Sequence, residues 1–186
     1  MRVISGLLKG KSINFLKNTN TRPLKDSVKE NIFNIIKHSH LINIKLENSN
    51  VLDLYSGVGS FGIECISRGA KKVTFVEKDL NASEILNKNL SKLSISSKTV
   101  VHTSSIENML LNIENEKFDI FFFDPPFKDL KFINNLKLIK KKGIFEKKHI
   151  LIIHREKKSN DNFGNCVKII ETKNYGRSKI IFCVIA

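Results

Sequence analysis

The sequence contains no tryptophan, and cysteine and proline occur only three times each. The cysteines, Cys65, Cys166 and Cys183, are odd in number and widely separated, which argues against a disulfide framework and a zinc site. No ligand spacing occurs among His38, His40, His102 and His149, so we expect no metal. No apolar run has the length of a bilayer span. MRVISGLLKGKSINF lacks the apolar core and cleavage site of a signal peptide, so we expect a cytoplasmic location and no membrane segment.

Basic residues are abundant. The chain of 186 residues has 32 Lys and Arg against 18 Asp and Glu, a formal net charge of +14. Such an excess attracts phosphate and favours a nucleic-acid partner. An AT-rich genome would encode the same bias toward Lys, Ile and Asn without any selection for binding, so the charge leaves both explanations open. The hydrophobic fraction of 41% is enough for the core of one domain.

Apolar segments of strand length alternate with segments of helical period. The predicted strands are Asn50–Tyr55, Lys72–Glu77, Thr99–Thr103, Phe118–Phe123, His149–His154, Val167–Glu171 and Lys179–Ile185. Helical periodicity places apolar residues on one face of Leu80–Leu93 and of Asp129–Lys141. Nearly continuous apolar strands separated by helices predict an α/β fold, with a parallel sheet covered on both faces. The last two strands, joined by TKNYGRS, predict an antiparallel hairpin at one edge.

The first fifty residues follow a different pattern. MRVISGLLKGKSINFL predicts a small β-hairpin, and TRPLKDSVKENIFNIIKH predicts a helix with Pro23 near its start and Asp26 as its cap. Residues Ser39–Ser49 have the mixed polarity of a linker. We therefore expect residues 1–45 to form a hairpin-and-helix extension and residues 46–186 to form the α/β domain.

A glycine-rich loop follows the first predicted strand. VLDLYSGVGSFGIE places Gly57, Gly59 and Gly62 in the spacing G-x-G-x-x-G between a strand and a helix, a pattern typical of nucleotide-type cofactor sites. Glu77 lies 20 residues after Gly57, where an acid can bind both hydroxyls of a ribose. Asp53 would repel a pyrophosphate but attract the sulfonium and ammonium of S-adenosylmethionine. The alternatives are a cap on the glycine turn for Asp53 and a solvated acid for Glu77.

The fourth predicted strand ends in a stiff turn. FDIFFFDPPF places the carboxylate of Asp124 before Pro125 and Pro126, whose fixed φ angles hold it beside the predicted cofactor cleft. Asp124 and the carbonyl of Pro125 can each accept one N–H of an exocyclic amine, which frees the nitrogen lone pair for attack on a sulfonium methyl. Asp124 can also take the released proton, and Phe127 can stack on the base. The alternative is a proline strand terminator with a chance acid.

These motifs resemble a known family. VLDLYSGVGSFGIECISRGA and FDIFFFDPPF are similar to the class I amino-group methyltransferases. The whole chain resembles the RsmD family of bacterial 16S rRNA guanine-N2 methyltransferases. The segments RVISGLLKGKSI, TRPLKDSVKENIFNII and KNYGRSKIIF resemble that family's opening hairpin, the segment after it and its final hairpin. The resemblance implies a Rossmann-like class I methyltransferase fold with seven strands and helices on both faces, and S-adenosylmethionine as methyl donor. It implies a guanine in 16S rRNA of assembled 30S subunits as substrate, and we expect a monomer.

The resemblance also assigns roles to matching positions. It places Asp53, Gly57 and Gly59 around the methionine part of the cofactor and Glu77 on the ribose. The catalytic set at the target amine is Asp124, Pro125, Pro126 and Phe127. The predicted cofactor site also includes Tyr55, Lys78, Arg22, and Ser104 and Ser105 of VVHTSSI, where a serine can bond adenine or be ordinary loop chemistry. Departures from the family pattern, which leave the adenine and RNA contacts open, occur at Leu24, Lys29, Val58 and Ser104.

Other functions fit parts of this pattern. A different amino methyltransferase, acting on adenine or cytosine in nucleic acid or on a protein glutamine, would share the DPPF turn. A carbon-5 methyltransferase would need a cysteine nucleophile, and the nearest candidate, Cys65, falls on an apolar helix face. An NAD oxidoreductase would not explain Asp53, and a non-catalytic RNA-binding protein would not explain DPPF. The lysine run Lys137–Lys148 is an RNA contact or a solvated surface, and His154 and Arg155 contact substrate or cap the fifth strand.

Overall fold

Seven strands form one sheet in the computed structural model, which describes residues 1–16 and 24–186 of the chain. The strands are β1 Asn50–Leu54, β2 Lys72–Glu77, β3 Thr99–Thr103, β4 Phe118–Phe123, β5 Phe145–Glu156, β6 Val167–Tyr175 and β7 Ser178–Ile185. Their order across the sheet is β3-β2-β1-β4-β5-β7-β6. The first five strands pair in parallel, and β7 is antiparallel to both β5 and β6. The predicted sheet, mostly parallel with a closing antiparallel hairpin, is confirmed.

Helices cover both faces of this sheet. They are α1 Asp26–His38, α2 Ser60–Ser67, α3 Leu80–Lys92, α4 Ile106–Asn112 and α5 Phe132–Lys142, with a short 3₁₀ helix at Ser96–Lys98. Side chains alternate along a strand, so Val51 packs in the cluster with α1, α2 and α3, while Leu52 packs in the cluster with α4 and α5. Burial on both faces explains why β4 is almost continuously apolar. None of these helices, in the part of the chain that the structure describes, is long and apolar enough to cross a bilayer.

Several element boundaries differ from the sequence prediction, including those of β5, β6 and α5. β5 begins at Phe145 rather than at His149. The sequence pattern missed these first residues because two exposed lysines near the start of the strand interrupt its apolar run. β6 continues to Tyr175 because it pairs with β7 up to the tight turn at Gly176. α5 begins only at Phe132, after a turn in which the carboxylate of Asp129 accepts the N–H two residues later at 2.7 Å.

The chain opens with a short antiparallel turn that packs on the core. Arg2 and Ser12 form an isolated antiparallel bridge, and Val3 and Ile13 are buried in the same cluster as α1, α2 and α3. Glu64, a buried carboxylate of α2, accepts the N–H groups of the two residues after Val3 at 2.8 and 2.9 Å. The predicted opening hairpin is therefore present as a single bridge anchored to α2. The division at residue 45 stays a prediction.

Helix α1 is joined to α2 by a buried lysine. The side chain of Lys29 is fully buried, with Nζ 3.0 Å from Oγ of Ser60 and 4.0 Å from a carboxylate oxygen of Glu64. Burial lowers the pKa of Lys29, while attraction to Glu64 and Asp26 opposes that shift. Asp26 is the first helical residue, and Lys25 occupies the N-cap position without a side-chain cap bond. The predicted cap at Asp26 is therefore wrong, because Asp26 pairs with Lys29 at 3.6 Å instead.

Gly62 allows α2 to approach the sheet closely, and this contact is testable. A Cβ on Gly62 would lie 2.3 Å from Cε1 of Phe75 and 2.7 Å from Cγ1 of Val73. Alanine has the higher helix propensity, yet we expect Gly62→Ala to lower the free energy of unfolding by about 1–3 kcal/mol through overpacking. Urea denaturation measures this change. In a Phe75→Leu background the loss should shrink, and an equal loss in both backgrounds would contradict the assigned clash.

Candidate functional site

Three acidic residues lie at the edge of the sheet where the parallel strands end. Asp53 is in β1, Glu77 closes β2 and Asp124 directly follows β4. β1 lies between β2 and β4, where the strand order reverses, and open α/β sheets bind their ligands at this point. The structure therefore brings together the three carboxylates that the sequence assigns to a site. This concentration of negative charge suits a ligand that carries positive charge.

Asp53 lies beneath the glycine loop. It is only 1% exposed, and its Oδ2 accepts the backbone N–H of Gly62 at 2.9 Å, so it caps the first turn of α2. Burial raises the pKa of Asp53 well above its ordinary value, and repulsion by Asp124 and Glu77 adds to the shift, while the Gly62 bond opposes it. The capping role that the sequence left as an alternative is thus present. A cofactor role for Asp53 stays a prediction.

The glycine loop is held by the acid of the neighbouring strand. Gly57 and Gly59 adopt positive φ angles of 54° and 86°, which glycine tolerates without strain. Glu77 accepts the N–H of Gly57 on one carboxylate oxygen and the N–H of Asp79 on the other, both at 2.8 Å. Each carboxylate oxygen has two acceptor sites. Glu77 can therefore bind ribose hydroxyls while it holds the loop.

Four further residues were predicted in the cofactor site, and two of them, Ser104 and Ser105, make hydrogen bonds within their own segment. Ser105 is the N-cap of α4, where its Oγ accepts the N–H of Asn108 at 3.2 Å. Ser104 donates its hydroxyl to the carbonyl of Ser105 at 3.2 Å. Lys78 is exposed directly after β2. Arg22, like Pro23, lies outside the described residues. The cofactor roles of all four predicted site residues stay predictions.

Tyr55 connects the glycine loop to the segment that follows β4. Its hydroxyl lies 3.3 Å from Oδ2 of Asp129 and accepts a hydrogen bond from the amide of Asn135 at 3.3 Å. Burial raises the pKa of Tyr55, and the negative charge of Asp129 raises it further. The phenol therefore keeps its proton and donates it to Asp129. Tyr55 has a positive φ of 63°, which turns the chain into the glycine loop.

A buried arginine binds the backbone of the DPPF turn. Arg155 donates to the carbonyls of Pro126 at 3.1 Å and Phe127 at 2.9 Å, and it pairs with Asp161 at 3.0 Å. Its guanidinium also lies 4.6 Å from the ring centre of Phe132. Burial alone would raise the pKa of Asp161, but hydrogen bonds, chiefly from Arg155, lower it. The sequence left Arg155 between substrate contact and strand cap and did not identify Asp161, which lies in a polar loop without a motif.

Asp124 contacts His154 of β5, and His154 in turn contacts Ser178 of β7. Its Oδ1 lies 2.7 Å from Nδ1 of His154 in β5, and Nε2 of His154 lies 2.9 Å from Oγ of Ser178 in β7. Among the described residues, no group donates a hydrogen bond to Oδ2 of Asp124. Phe127 is 36% exposed, and its ring makes a T-shaped contact with His154 at 5.7 Å between ring centres. The sequence did not identify Ser178.

One rival chemistry, that of a carbon-5 methyltransferase, finds little support at this edge. Burial raises the pKa of Cys65 well above that of a free thiol, with Asp53 and Glu64 adding to the shift, so its thiol stays protonated. Within residues 1–16 and 24–186, no three His, Cys, Asp or Glu side chains are grouped to hold a metal ion. A cavity of about 590 Å³ lies at the opposite edge of the sheet, beside Asn50 and Phe118. It contains none of the predicted site residues, so we do not assign the function to it.

Comparison with known proteins agrees with this geometry. The family model described as Conserved hypothetical protein 95 matches residues 1–184. Ribosomal RNA small subunit methyltransferase D of Buchnera aphidicola subsp. Baizongia pistaciae is 33% identical over 156 residues, covering 84% of this chain and 76% of that protein. The protein of the same name from Haemophilus influenzae is 38% identical over 130 residues, covering 68% and 64%. The chain belongs to the RsmD family. The prediction of this family from the sequence is confirmed.

Solved structures show the same fold. A provisionally named methylase from Haemophilus influenzae is 28% identical with a TM-score of 0.79, and the match covers 98% of this chain and 96% of that one. An RNA methyltransferase from Salinibacter ruber in complex with S-adenosyl-L-homocysteine has a TM-score of 0.64 at 11% identity, with coverage of 87% and 92%. The predicted class I methyltransferase fold is confirmed. The predicted enzyme class, an S-adenosylmethionine-dependent methyltransferase, agrees with the family and these neighbours.

The raised pKa of Asp53 predicts a pH dependence of cofactor binding. A cation binds the ionised carboxylate better than the neutral one, so binding of S-adenosylmethionine releases a proton. We expect its Kd to fall as pH rises through the raised pKa of Asp53 and then to level off. Isothermal titration calorimetry measures both the Kd and the released proton.

Asp53→Asn is the matched control, because an asparagine oxygen can still accept the Gly62 N–H while the charge is lost. S-adenosylhomocysteine, which lacks the sulfonium charge, should show a shallower pH dependence on the wild-type protein. An unchanged slope in Asp53→Asn would contradict the role given to this carboxylate.

Proposed function

We propose that this chain is an S-adenosylmethionine-dependent methyltransferase that methylates the exocyclic N2 amine of a guanine in 16S rRNA. The observation that carries the proposal is the DPPF turn, which holds Asp124 at the same sheet edge as Asp53 and Glu77. The RsmD relatives named ribosomal RNA small subunit methyltransferase D support the substrate. The assembled 30S particle as substrate, the monomeric state and the cytoplasmic location stay predictions.

The residues of this edge fit the cofactor's chemistry. S-adenosylmethionine supplies a methyl group on a positively charged sulfur, and the three carboxylates around the edge favour that charge. Glu77 keeps acceptor sites for ribose hydroxyls next to Gly57. The capped turn at Gly62 keeps the loop close to the sheet. The protein's contribution to catalysis is therefore mainly positioning and electrostatics.

The DPPF turn supplies two acceptors for one amine. Arg155 occupies the carbonyls of Pro126 and Phe127, whereas no donor to the carbonyl of Pro125 is found among the described residues, so this carbonyl can accept from the substrate. Oδ2 of Asp124 accepts the second N–H, and together the two acceptors draw the nitrogen toward a pyramidal geometry with a free lone pair. S-adenosylmethionine would supply its methyl group to this lone pair, and the electron pair of the broken carbon–sulfur bond would remain on its sulfur. Asp124 then takes the proton that the nitrogen loses.

Asp124 is the residue whose change tests this mechanism. We expect Asp124→Ala to lower methyl transfer by at least about 100-fold, because both the orienting acceptor and the base are lost. Binding of S-adenosylmethionine should persist. The assay is transfer of labelled methyl from S-adenosylmethionine to undermethylated 30S subunits, naked 16S rRNA and duplex DNA in parallel. Turnover at the wild-type rate by Asp124→Ala would contradict the mechanism.

Two further variants sharpen this test. Asp124→Asn keeps an acceptor but cannot take a proton, so it separates orientation of the amine from proton removal. Asp119→Asn is the matched control on the same strand, because Asp119 accepts the N–H of Asn50 at 2.7 Å at the far edge of the sheet. Its activity should match that of the wild-type protein. Label on DNA alone would keep the fold and the donor and move the function to another amine.

Exposed charges at the site edge are divided between its two halves. Five basic residues lie in the loops after β4, β5 and β6: Lys128, Lys131, Lys157, Lys158 and Arg177. The half-buried acids near them are Asp124, Asp129, Glu156 and Asp161, of which Asp161 is paired with Arg155. Around the ends of β2 and β3 lie three acids, Glu77, Asp79 and Glu107, with one exposed lysine, Lys78, among them. We infer that RNA phosphates approach over the basic half, while the cofactor lies over the acidic half.

A charge-reversal pair tests the RNA surface. The backbone N–H of Lys157 donates to the carbonyl of Arg177 at 2.8 Å, so the two residues are adjacent. We expect the Lys157→Glu, Arg177→Glu double variant to weaken 30S binding and to reduce the slope of log K against log salt by about 1.4–1.8. Fluorescence anisotropy at several salt concentrations measures the slope.

The lysine run provides the control for this experiment. Lys147 and Lys148 are exposed in the first part of β5, at the opposite edge of the sheet. The double variant Lys147→Glu, Lys148→Glu makes the same change in net charge and should leave the salt slope near the wild-type value. Equal effects of the two double variants would show that total charge, and not this surface, governs binding.

A further inference from the structure

His154 connects Asp124, the candidate catalytic base, to strand β7. It is 7% exposed near the end of β5, and both ring nitrogens have side-chain partners. Nδ1 lies 2.7 Å from Oδ1 of Asp124, and Nε2 lies 2.9 Å from Oγ of Ser178. The three side chains thus form one hydrogen-bonded row across β4, β5 and β7.

The chemistry of the pair fixes where the imidazole carries a proton. An ionised carboxylate only accepts hydrogen bonds, so a contact of 2.7 Å between Asp124 and Nδ1 of His154 requires a proton on Nδ1. Nε2 then accepts the hydroxyl of Ser178, or donates to it when the ring is doubly protonated. In either state Nδ1–H donates to Oδ1 of Asp124.

We propose that His154 is a positioning residue for methyl transfer. Its Nδ1–H holds Oδ1 of Asp124 and so directs Oδ2 toward the substrate amine, while Ser178 fixes the orientation of the imidazole. The same ring makes a T-shaped contact with Phe127, the residue assigned to stack on the base, at 5.7 Å between ring centres. One imidazole therefore orients both the acceptor and the stacking surface. The inference rests on the proposed function.

The proton balance needs no further group. The amine N–H bond breaks as an O–H bond forms on Oδ2 of Asp124, and His154 keeps its protons throughout. Because Oδ1 is already held, the geometry of the carboxyl group is the same before and after it takes the proton. The side chain of Asp124 is 26% exposed, so the proton can then leave to solvent.

A second histidine on the same strand shows what a structural role looks like here. Nδ1 of His149 lies 2.7 Å from the carbonyl of Glu146, and Nε2 accepts the N–H of Ile185 at 2.9 Å. Both partners are backbone groups of β5 and β7, so His149 satisfies the sheet. The partners of His154 are instead side chains, and one of them is Asp124, the candidate catalytic base.

Two amide variants separate positioning from packing. Asparagine at position 154 places its NH₂ near the place of Nδ1, whereas glutamine places it near Nε2. We expect His154→Gln and His154→Ala to lower kcat about 100-fold, with KM for 30S subunits and Kd for S-adenosylmethionine little changed. His154→Asn should keep most of the wild-type kcat, because its NH₂ can still donate to Oδ1 of Asp124. Steady-state methyl transfer and calorimetry measure these quantities, and His149→Asn is the control with wild-type kcat.

A measurement without turnover tests the hydrogen bond itself. In nitrogen-15 NMR of the wild-type protein, Nδ1 of His154 should carry a proton, and Asp124→Ala should remove that preference. An unprotonated Nδ1 in the wild-type protein would overturn the inference. Equal losses of kcat in His154→Asn and His154→Gln, proportional to their losses in free energy of unfolding, would also overturn it. Methyl transfer to none of the offered substrates would overturn the proposed function instead, and the NMR result would still decide the hydrogen bond.

Discussion

The buried ion pair between Arg155 and Asp161 is the interaction on which the candidate site depends. Both side chains are essentially inaccessible, at 0% and 1%, and removal of one partner of such a pair typically costs about 3–5 kcal/mol. The guanidinium uses its remaining donors on the carbonyls of Pro126 and Phe127. The turn after β4 is thereby fixed by the end of β5, and not by its prolines alone. The carbonyl of Pro125 and the carboxylate of Asp124, both in this turn, are the groups that the proposed chemistry needs.

The site edge has two halves with different electrostatic tasks. Around the glycine loop, acids satisfy backbone N–H groups, and burial, with repulsion from Asp124 and Glu77, raises the pKa of Asp53. This concentration of carboxylates suits a cation. Beyond β4, exposed lysines and Arg177 surround the turn, which suits the phosphates of an RNA. Asp124 lies at the boundary between the two halves. A methyl donor of positive charge and a substrate of negative charge can therefore meet there without competing for one surface.

Local patterns in the sequence predicted much of this arrangement. The glycine spacing, the apolar run before Asp124 and the two prolines after it are contiguous, so each could be interpreted from its own neighbours. Contacts between distant residues could not, because Asp124 and His154 are 30 positions apart and His154 and Ser178 are 24 apart. The pairing of Arg155 with Asp161 has no periodicity that would reveal it. The capping role of Ser105 had a signal, a serine directly before an apolar helical segment, which competed with the expected adenine contact.

The most direct test of the central claim is the chemical identity of the product. Undermethylated 30S subunits, incubated with the wild-type protein and labelled S-adenosylmethionine, would be digested to nucleosides and separated by liquid chromatography with mass spectrometry. The account predicts that the label elutes as N2-methylguanosine. Label in a methylated adenosine or cytidine, or unlabelled RNA from a protein that binds the cofactor, would contradict it.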